Sequence, residues 1–284
     1  MSTIAFVGLG VMGAPMAGHL VKAGHEVRAF ARDPKKAEAW KAKHGGAIVS
    51  SVAEAAKGAD AIVTCVGEDR DVREVFEAAG ALKKDALFID HTTASASIAR
   101  ALHEEAKAKG AHFLDAPVSG GQAGAEAGRL TIMIGGDEEP FARAEPILKA
   151  YGAAITRIGP AGSGQLAKMV NQICIAGVVQ GLAEGLHFAK RAGLDAGTLI
   201  AAISKGAAQS WQMENRWKTM DAGQFEFGFA VDWMRKDLGL VLEEARANGA
   251  STPVAALVDQ FYAEVQAMGG RRWDTSSLIA RLER

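Results

Sequence analysis

A glycine-rich stretch near the start of the chain, IAFVGLGVMGAPMAGHL at residues 4–20, limits the possible folds more than any other feature. Gly8, Gly10 and Gly13 fall between an apolar β-like run and a helical pattern, as a dinucleotide-binding fingerprint requires. Gly8 permits a tight turn, Gly10 lets the backbone approach a pyrophosphate, and Gly13 lets helix and strand pack closely. The helix N-terminus then offers N–H groups to the phosphates. We therefore predict that a dinucleotide cofactor contacts the six loop residues Gly8, Leu9, Gly10, Val11, Met12 and Gly13.

The pattern that follows this loop predicts two domains. Up to residue 160, β-like runs (3–7, 26–30, 47–49, 61–66, 86–90, 111–114, 130–134 and 154–158) alternate with helical runs such as 13–23, 34–43, 70–78 and 97–109. Such alternation is typical of βαβ units and a mainly parallel sheet. Thereafter only helical patterns occur, at 164–192, 196–204, 210–218, 232–248 and 253–268. We predict an α/β fold: an N-terminal Rossmann domain with a doubly wound sheet (1–160), then an all-α domain for substrate binding and oligomerisation (161–284).

Composition excludes several function classes. Thirty-two basic and 33 acidic residues give a net charge of −1 without a basic block, so neither nucleic acid nor an anionic membrane is expected as a partner. The chain lacks a signal-peptide pattern, and its most apolar stretch, residues 173–183, is too short to span a bilayer, which predicts a cytoplasmic protein. Two cysteines suggest no disulfide framework, and seven scattered histidines suggest no metal site.

The end of the second predicted strand bears on cofactor choice. An NAD-preferring site usually has Asp or Glu there for the ribose 2′-hydroxyl. Here VRAFARDPKK (27–36) places Ala31 at that point, followed by Arg32, whose guanidinium can pair with a 2′-phosphate. This favours NADP. Asp33 keeps NAD as the alternative, because a register shift of two would bring its carboxylate to the ribose hydroxyl.

Two further stretches contain candidate functional groups. Ser119, Gly120 and Gly121 combine a hydroxyl with unhindered backbone N–H groups, which can form an anion nest or simply a glycine-rich turn. In GSGQLAKMVNQ (162–172), Lys168 and the amide residues Asn171 and Gln172 share one face of an otherwise apolar helix. From the residues alone, Lys168 is either a snorkelling lysine or a functional group. Asp90 and Asp115, at strand ends, are interpreted as groups that orient loops.

Four stretches in order, GLGVMGAPMAGHL (8–20), DAPVSGGQAGAEAGRLTIMIGGD (115–137), GSGQLAKMVNQ (162–172) and FAVDWMRKDL (229–238), resemble the β-hydroxyacid dehydrogenase family. That family includes 3-hydroxyisobutyrate dehydrogenase and the tartronate, glyoxylate and succinic semialdehyde reductases. The resemblance covers essentially the whole chain. It implies reversible hydride transfer between a nicotinamide cofactor and a small carboxylate-bearing β-hydroxy acid or semialdehyde.

The same resemblance implies roles for individual residues. Lys168 would act as general acid in reduction and as general base in oxidation, since an apolar site lowers the pKa of a lysine. Substrate contacts would come from Ser119, Gly120, Gly121, Asn171 and Gln172, although many relatives have Asn at position 172. Cofactor contacts beyond the glycine loop and Arg32 would come from Cys65, Val66, Thr93, Phe229 and Lys236. The segment Gly67–Asp69 departs from the family pattern and receives no role.

Three functions remain open at this point. An NADP-linked semialdehyde reductase is the leading interpretation, because of Arg32 and Ala31. An NAD-dependent 3-hydroxyisobutyrate dehydrogenase is its nearest alternative, and a non-catalytic cofactor-binding module is an alternative of another class. Retention of Lys168 favours an enzyme and argues against imine reductases, which share the architecture but generally lack this lysine. The long apolar helix leads us to expect a homodimer or homotetramer.

Overall fold

The computed structural model describes residues 1–283 and divides into two compact units, residues 1–168 and the residues from 169 onward. The strands of the first unit are β1 (Thr3–Val7), β2 (Glu26–Phe30), β3 (Ala47–Ile48), β4 (Ala61–Thr64), β5 (Leu87–Asp90), β6 (His112–Asp115), β7 (Val118–Ser119), β8 (Leu130–Gly135) and β9 (Gly152–Gly159). Its helices are α1 (Gly13–Lys22), α2 (Pro34–His44), α3 (Val52–Ala56), α4 (Asp69–Ala78), α5 (Ala96–Ala108), α6 (Gly121–Glu126) and α7 (Glu138–Leu148). Helix α8 (Ser163–Arg191) begins in this unit and continues into the second.

The nine strands form one sheet in the order β3-β2-β1-β4-β5-β6-β8-β7, with β9 paired to β8. The six strands from β3 to β6 run parallel, whereas β8 is antiparallel to β6 and β7. The strand order changes direction between β1 and β4. Ligands of such sheets bind at this switch point, beyond the carboxyl ends of the strands.

Helices cover both faces of this sheet, as the alternation along β1 shows. Ile4 and Phe6 belong to one core cluster, together with Leu20 of α1. Ala5, between them, belongs to a second cluster on the other face, together with Phe76 of α4. Since side chains alternate between the faces of a strand, β1 is buried on both sides. This is the packing of a doubly wound sheet.

In its described part the second unit consists of helices joined by loops, with one isolated antiparallel bridge between Ala230 and Asp274. Besides the remainder of α8 it contains α9 (Ala196–Ile203), α10 (Trp211–Asp221), α11 (Val231–Asn248), α12 (Pro253–Ala267) and the 3₁₀ helix Thr275–Arg281. Its single core cluster includes Val179 and Leu186 of α8, Met234 and Leu238 of α11, and Tyr262 of α12. Helices α9 and α10 begin at side-chain caps, an aspartate and a serine that accept backbone N–H groups of the first turn.

The predicted fold class is confirmed: a mainly parallel α/β sheet is followed by a helical region. Several elements escaped the sequence analysis, namely the short elements β7, α3, α6 and the 3₁₀ helix, and the longer helix α7. Strand β7 has two residues, too few for a periodic pattern. Helix α7 contains Pro146, and proline inside a helical pattern normally indicates an end or a break.

Candidate active site

The glycine loop between β1 and α1 has the steric requirements that its sequence predicted. Gly8 has a φ of 104°, and a Cβ there would collide with the carbonyl oxygen of Cys65. A Cβ at Gly13 would collide with the carbonyl oxygen of Gly8. Gly10 differs, because a Cβ there would meet no protein atom within 4 Å. Protein packing therefore explains why glycine is needed at positions 8 and 13. At position 10 it does not, and the remaining reason for a glycine is the close approach of a ligand. The loop fits a dinucleotide.

Arg32, just beyond β2, lies beside an acidic partner. Its Nη1 is 3.1 Å from Oδ1 of Asp71 in α4, and 74% of its side chain is exposed. Asp33, the alternative reader of the ribose, caps α2 instead, with its Oδ1 accepting the N–H of Lys35 at 3.0 Å. One carboxylate oxygen of Asp33 is therefore already engaged by a helix terminus. Both side chains at the end of β2 therefore have a partner, Arg32 the Asp71 carboxylate and Asp33 a helix N-terminus.

The ends of β4 and β5 are joined through hydroxyl groups. The Thr64 hydroxyl donates to the Asp90 carboxylate at 2.7 Å, and the N–H of Val66 donates to the Thr92 hydroxyl at 3.0 Å. The same Asp90 oxygen accepts the N–H of Thr92 at 3.0 Å. Burial raises the pKa of Asp90 to about 6. These bonds hold the segments that contain the predicted cofactor residues Cys65, Val66 and Thr93.

The predicted substrate loop continues from β6 into β7. Ser119 is half-buried and pairs with Thr131 of β8 in the antiparallel ladder. Gly120 and Gly121 both have positive φ, 127° and 61°, which side chains other than glycine rarely adopt. Neither glycine carries a side chain that could block access to its backbone N–H group. The backbone is therefore suited to the carboxylate-binding role that the sequence predicted.

Lys168 lies in the first part of α8, and only 7% of its surface is exposed. The start of this helix is bonded to Asp115, the last residue of β6. One oxygen of Asp115 accepts the N–H of Gly162 at 2.8 Å, and the other accepts the N–H of Gln165 at 2.9 Å. Burial raises the pKa of Asp115 to about 6. A lysine with so little exposed surface departs from the pattern of a snorkelling surface residue.

A buried histidine, His91, contacts the backbone of the predicted substrate loop. Nδ1 of His91 donates to the carbonyl oxygen of Ala116 at 2.6 Å, and its Nε2 accepts from the Tyr151 hydroxyl at 2.8 Å. A carbonyl oxygen can only accept, so the two bonds define this tautomer. Burial lowers the pKa of His91 to about 4, which keeps the ring neutral near pH 7.

In the second unit the predicted residues form a chain of contacts. Nδ2 of Asn171 donates to Oε1 of Gln172 at 2.8 Å, and Nε2 of Gln172 donates to Oδ2 of Asp237 at 2.7 Å. Oδ1 of Asp237 is 3.1 Å from Nζ of Lys236. Gln172 is 1% exposed, so its longer side chain fills the gap between α8 and α11. The predicted substrate contact of Gln172 and the predicted cofactor contact of Lys236 stay predictions.

Phe229 is not among these hydrogen-bonded residues and lies just before α11. Its N–H donates to Oδ2 of the buried Asp274 at 2.9 Å, and its carbonyl oxygen accepts the N–H of Thr275 at 2.9 Å. Gly228, with φ of 69°, leaves room for the Asp274 carboxylate. The segment before α11 is thus held by one buried acid, and the predicted role of Phe229 at the cofactor stays a prediction.

Several supporting residues were not found from the sequence. The interpretation of Asp90 and Asp115 as loop-orienting groups is confirmed by their backbone partners. Gln165, His91 and Tyr151 were missed, because each acts through a partner far away in the chain. For Gln165 the sequence held one indication of a role, because this residue lies one helical turn before Lys168 on the same face of the helix.

Two family models together match nearly all of the chain. Residues 3–159 match the NAD binding domain of 6-phosphogluconate dehydrogenase, and residues 162–282 match the NAD-binding domain of NADP-dependent 3-hydroxyisobutyrate dehydrogenase. An uncharacterised oxidoreductase of Shewanella frigidimarina is 59% identical over 288 residues, covering 100% of this chain and 99% of that protein.

Solved structures agree with these matches. A 3-hydroxyisobutyrate dehydrogenase of Mycobacterium tuberculosis, determined with L-serine, superposes with a TM-score of 0.90 at 37% identity and covers 100% of both chains. A 3-hydroxyisobutyrate dehydrogenase from Salmonella typhimurium superposes with a TM-score of 0.87 at 31% identity and covers 98% of both chains. The chain therefore belongs to the β-hydroxyacid dehydrogenase family, in its 3-hydroxyisobutyrate dehydrogenase-like branch, and is a nicotinamide-dependent oxidoreductase.

Proposed function

We propose that this protein is an NADPH-linked reductase of small carboxylate-bearing aldehydes, chiefly semialdehydes, acting reversibly on the corresponding hydroxy acids. The observation that carries the proposal is the position of Lys168. It is almost fully buried, on a helix whose first turn is bonded to the end of β6. The substrate loop with Ser119 begins at that same strand end. A proton-transfer group and a carboxylate-binding loop therefore share one anchoring point.

The protein's own part in the reaction is to hold the substrate and move one proton. A bound nicotinamide cofactor supplies or accepts the hydride. In reduction, Nζ of Lys168 donates a proton to the substrate oxygen, and in oxidation it accepts that proton. The Ser119 hydroxyl and the N–H groups of Gly120 and Gly121 bind the carboxylate. Asn171 lies three residues beyond Lys168 on the same helix face, where its amide orients the lysine or the substrate.

Arg32 supports NADPH as the cofactor. Ala31 leaves the usual position of the ribose-binding acid without a carboxylate, and Asp33 is occupied as a helix cap. We expect Arg32→Ala to weaken NADPH binding about 10- to 100-fold, the value of a charge-assisted hydrogen bond, and to change NADH binding less than threefold. Arg70→Ala is the matched control, because Arg70 has an equally exposed side chain that pairs with other acids. Equal effects of both substitutions would remove Arg32 as the reader of the 2′-phosphate.

Initial rates test the whole proposal. In the direction of reduction, NADPH and NADH are each assayed with glyoxylate and with the semialdehydes of succinate, methylmalonate and tartronate. In the direction of oxidation, NADP⁺ and NAD⁺ are each assayed with 3-hydroxyisobutyrate and L-serine. The proposal predicts that NADPH exceeds NADH at least tenfold in kcat/KM with one semialdehyde. A preference for NADH would indicate that Asp33, and not Arg32, contacts the ribose of the cofactor. Tight cofactor binding without turnover of any compound would favour the non-catalytic module.

An NAD-dependent 3-hydroxyisobutyrate dehydrogenase is the second candidate. It is supported by the solved structures named above, which are called 3-hydroxyisobutyrate dehydrogenases. The L-serine in one of them is itself a β-hydroxy acid, so it serves as a probe of the Ser119 loop. Faster oxidation of 3-hydroxyisobutyrate with NAD⁺ than reduction of any semialdehyde with NADPH would select this candidate.

We also propose that a second copy of the chain covers one face of α8. Apart from Glu184 and Arg191, the exposed positions of this helix carry apolar or small residues, namely Val170, Cys174, Val178, Gly181, Gly185 and Phe188. By length and hydropathy α8 could cross a membrane, but 44% of its most apolar stretch is buried within the protein. Small residues spaced by four let another helix approach closely. Light scattering at micromolar concentration should give a dimeric or tetrameric mass, and a monomer would contradict the proposal.

A further inference from the structure

The first turn of α8 is held by side chains distant in sequence. The N–H groups at the start of a helix have no partner within it, and a neighbouring residue usually caps them. In α8 the cap is Asp115, which receives the N–H groups of Gly162 and Gln165 at 2.8 and 2.9 Å. The carboxylate also lies at the end of the helix that is favourable for a negative charge. Asp115 thus connects β6 to α8.

Gln165 makes a second connection from the same turn. Its Nε2 donates to the carbonyl oxygen of Thr92 at 2.8 Å, and its Oε1 accepts the N–H of Ala94 at 3.0 Å. These two bonds bracket Thr93, a predicted cofactor residue. Gln165 is fully buried, so all its polar groups depend on these partners. The first turn of α8 is therefore connected to the loops after both β5 and β6.

Two glycines leave the space that Asp115 needs. A Cβ at Gly164 would lie 2.6 Å from the carbonyl oxygens of Asp115 and Met133, and a Cβ at Gly135 would collide with the Asp115 carboxylate. A larger residue at Gly164 would require β6, β8 or α8 to move, and one at Gly135 would displace the Asp115 carboxylate. The close approach of these three elements fixes where α8 begins, and with it the position of Lys168 one turn further along.

We propose that Asp115 is a positioning residue that sets Lys168 relative to the substrate loop, with Gln165 as its auxiliary. Asp115 is itself the first residue of that loop sequence, DAPVSGG, and Ser119 follows four residues later. One carboxylate therefore connects the backbone of the carboxylate-binding loop to the helix of the proton-transfer group. This inference rests on the proposed function, which supplies the roles of Lys168 and Ser119.

The test compares Asp115→Asn with Asp259→Asn. Asp259 is also a buried carboxylate, but its partner is Arg235, the residue before Lys236 in the helical unit, and not the first turn of α8. Single-turnover oxidation of NADPH gives the rate of the reaction, and NADPH fluorescence gives the Kd. We expect Asp115→Asn to slow the reaction 10- to 100-fold with less than a threefold change in Kd. Asp259→Asn should lose thermal stability without losing more than threefold in rate.

Two further measurements keep the inference testable. If Asp115→Asn fails to fold, Gln165→Met keeps the cap and removes only the auxiliary bonds, and it should slow the reaction about five- to tenfold. If the wild type turns over none of the substrates, the proposed function fails, but the role of Asp115 can still be tested by NMR. The side-chain resonances of Lys168, assigned by their loss in Lys168→Met, report the surroundings of this lysine. They should shift in Asp115→Asn and stay in place in Asp259→Asn. A rate within threefold of wild type, or unmoved Lys168 resonances, would overturn the role of Asp115.

Discussion

The two units of this protein hold their candidate functional residues by different means. In the first unit, loops are fixed by backbone geometry, by glycines without room for a Cβ, and by buried acids that accept backbone N–H groups. In the second, side chains on helices are fixed by other side chains, in the chain from Asn171 through Gln172 and Asp237 to Lys236. Substitutions in the first unit should therefore destabilise the protein by steric clashes. Substitutions in the second unit should destabilise it by leaving buried polar groups without hydrogen-bond partners.

The largest expected effect concerns the glycine loop. In Gly13→Ala the new Cβ collides with the backbone of Gly8, which should destabilise the protein by about 3 kcal/mol and abolish NADPH binding. Gly10→Ala is the matched control, since its Cβ meets no protein atom and its φ is not positive. We expect Gly10→Ala to keep the wild-type Tm within about 2 °C and to weaken NADPH binding at least tenfold. Unfolding followed by circular dichroism, with NADPH titrations, measures both. A large loss of Tm in Gly10→Ala would show that packing, rather than the ligand, requires this glycine.

The next effect is pH dependence in the first unit. His91 has a folded-state pKa of about 4 against an ordinary value of 6.5, so it stabilises the fold above pH 6.5 and loses this contribution as the pH falls through 4. Asp90 and Asp115 have raised pKa values of about 6 and act in the opposite direction, stabilising the fold as the pH falls from 6 toward 4. In His91→Asn the amide can still donate to Ala116. The stability advantage of wild type over this variant should be about 3 kcal/mol larger at pH 7 than at pH 4.

Urea unfolding of both proteins at the two pH values measures that difference. Asp90 and Asp115 are present in both, so their contribution cancels. An advantage that does not change with pH would mean that His91 is protonated as easily in the folded protein as in the unfolded chain.

A smaller effect is expected in the second unit. Gln172→Leu removes the amide that donates to the buried Asp237, and should destabilise the protein by about 2 kcal/mol. Gln180→Leu, on the same helix, is the control. Gln180 donates to Glu184, but its Oε1 is buried without a partner among the described residues, so replacing it should cost less than about 1 kcal/mol. Equal losses in the two variants would show that the contacts of Gln172 add nothing to the helical unit.

The same contrast explains what the sequence could predict. The glycine loop, the strands and the long helix follow from local steric rules and periodicity, which a single sequence displays. Asp115 could be interpreted as a loop-orienting group, but its partner in α8, Gln165, lies 50 residues away and no local pattern indicates it. Gln165 and the His91–Tyr151 pair were missed for the same reason. Gln172 was recognised as a departure from the family, whereas its bond to Asp237 depends on how α8 and α11 pack.

The central claim is that Lys168 transfers the proton, and its most direct test is Lys168→Met. Methionine has a similar length and no titratable group, and it is suited to an apolar position. Single-turnover rates with NADPH and the best semialdehyde, measured beside the Kd for NADPH, separate catalysis from cofactor binding. We predict a rate about 10²- to 10⁴-fold below wild type, the usual value of general acid catalysis, with Kd unchanged within threefold. A rate within tenfold of wild type would contradict the proton-transfer role of Lys168.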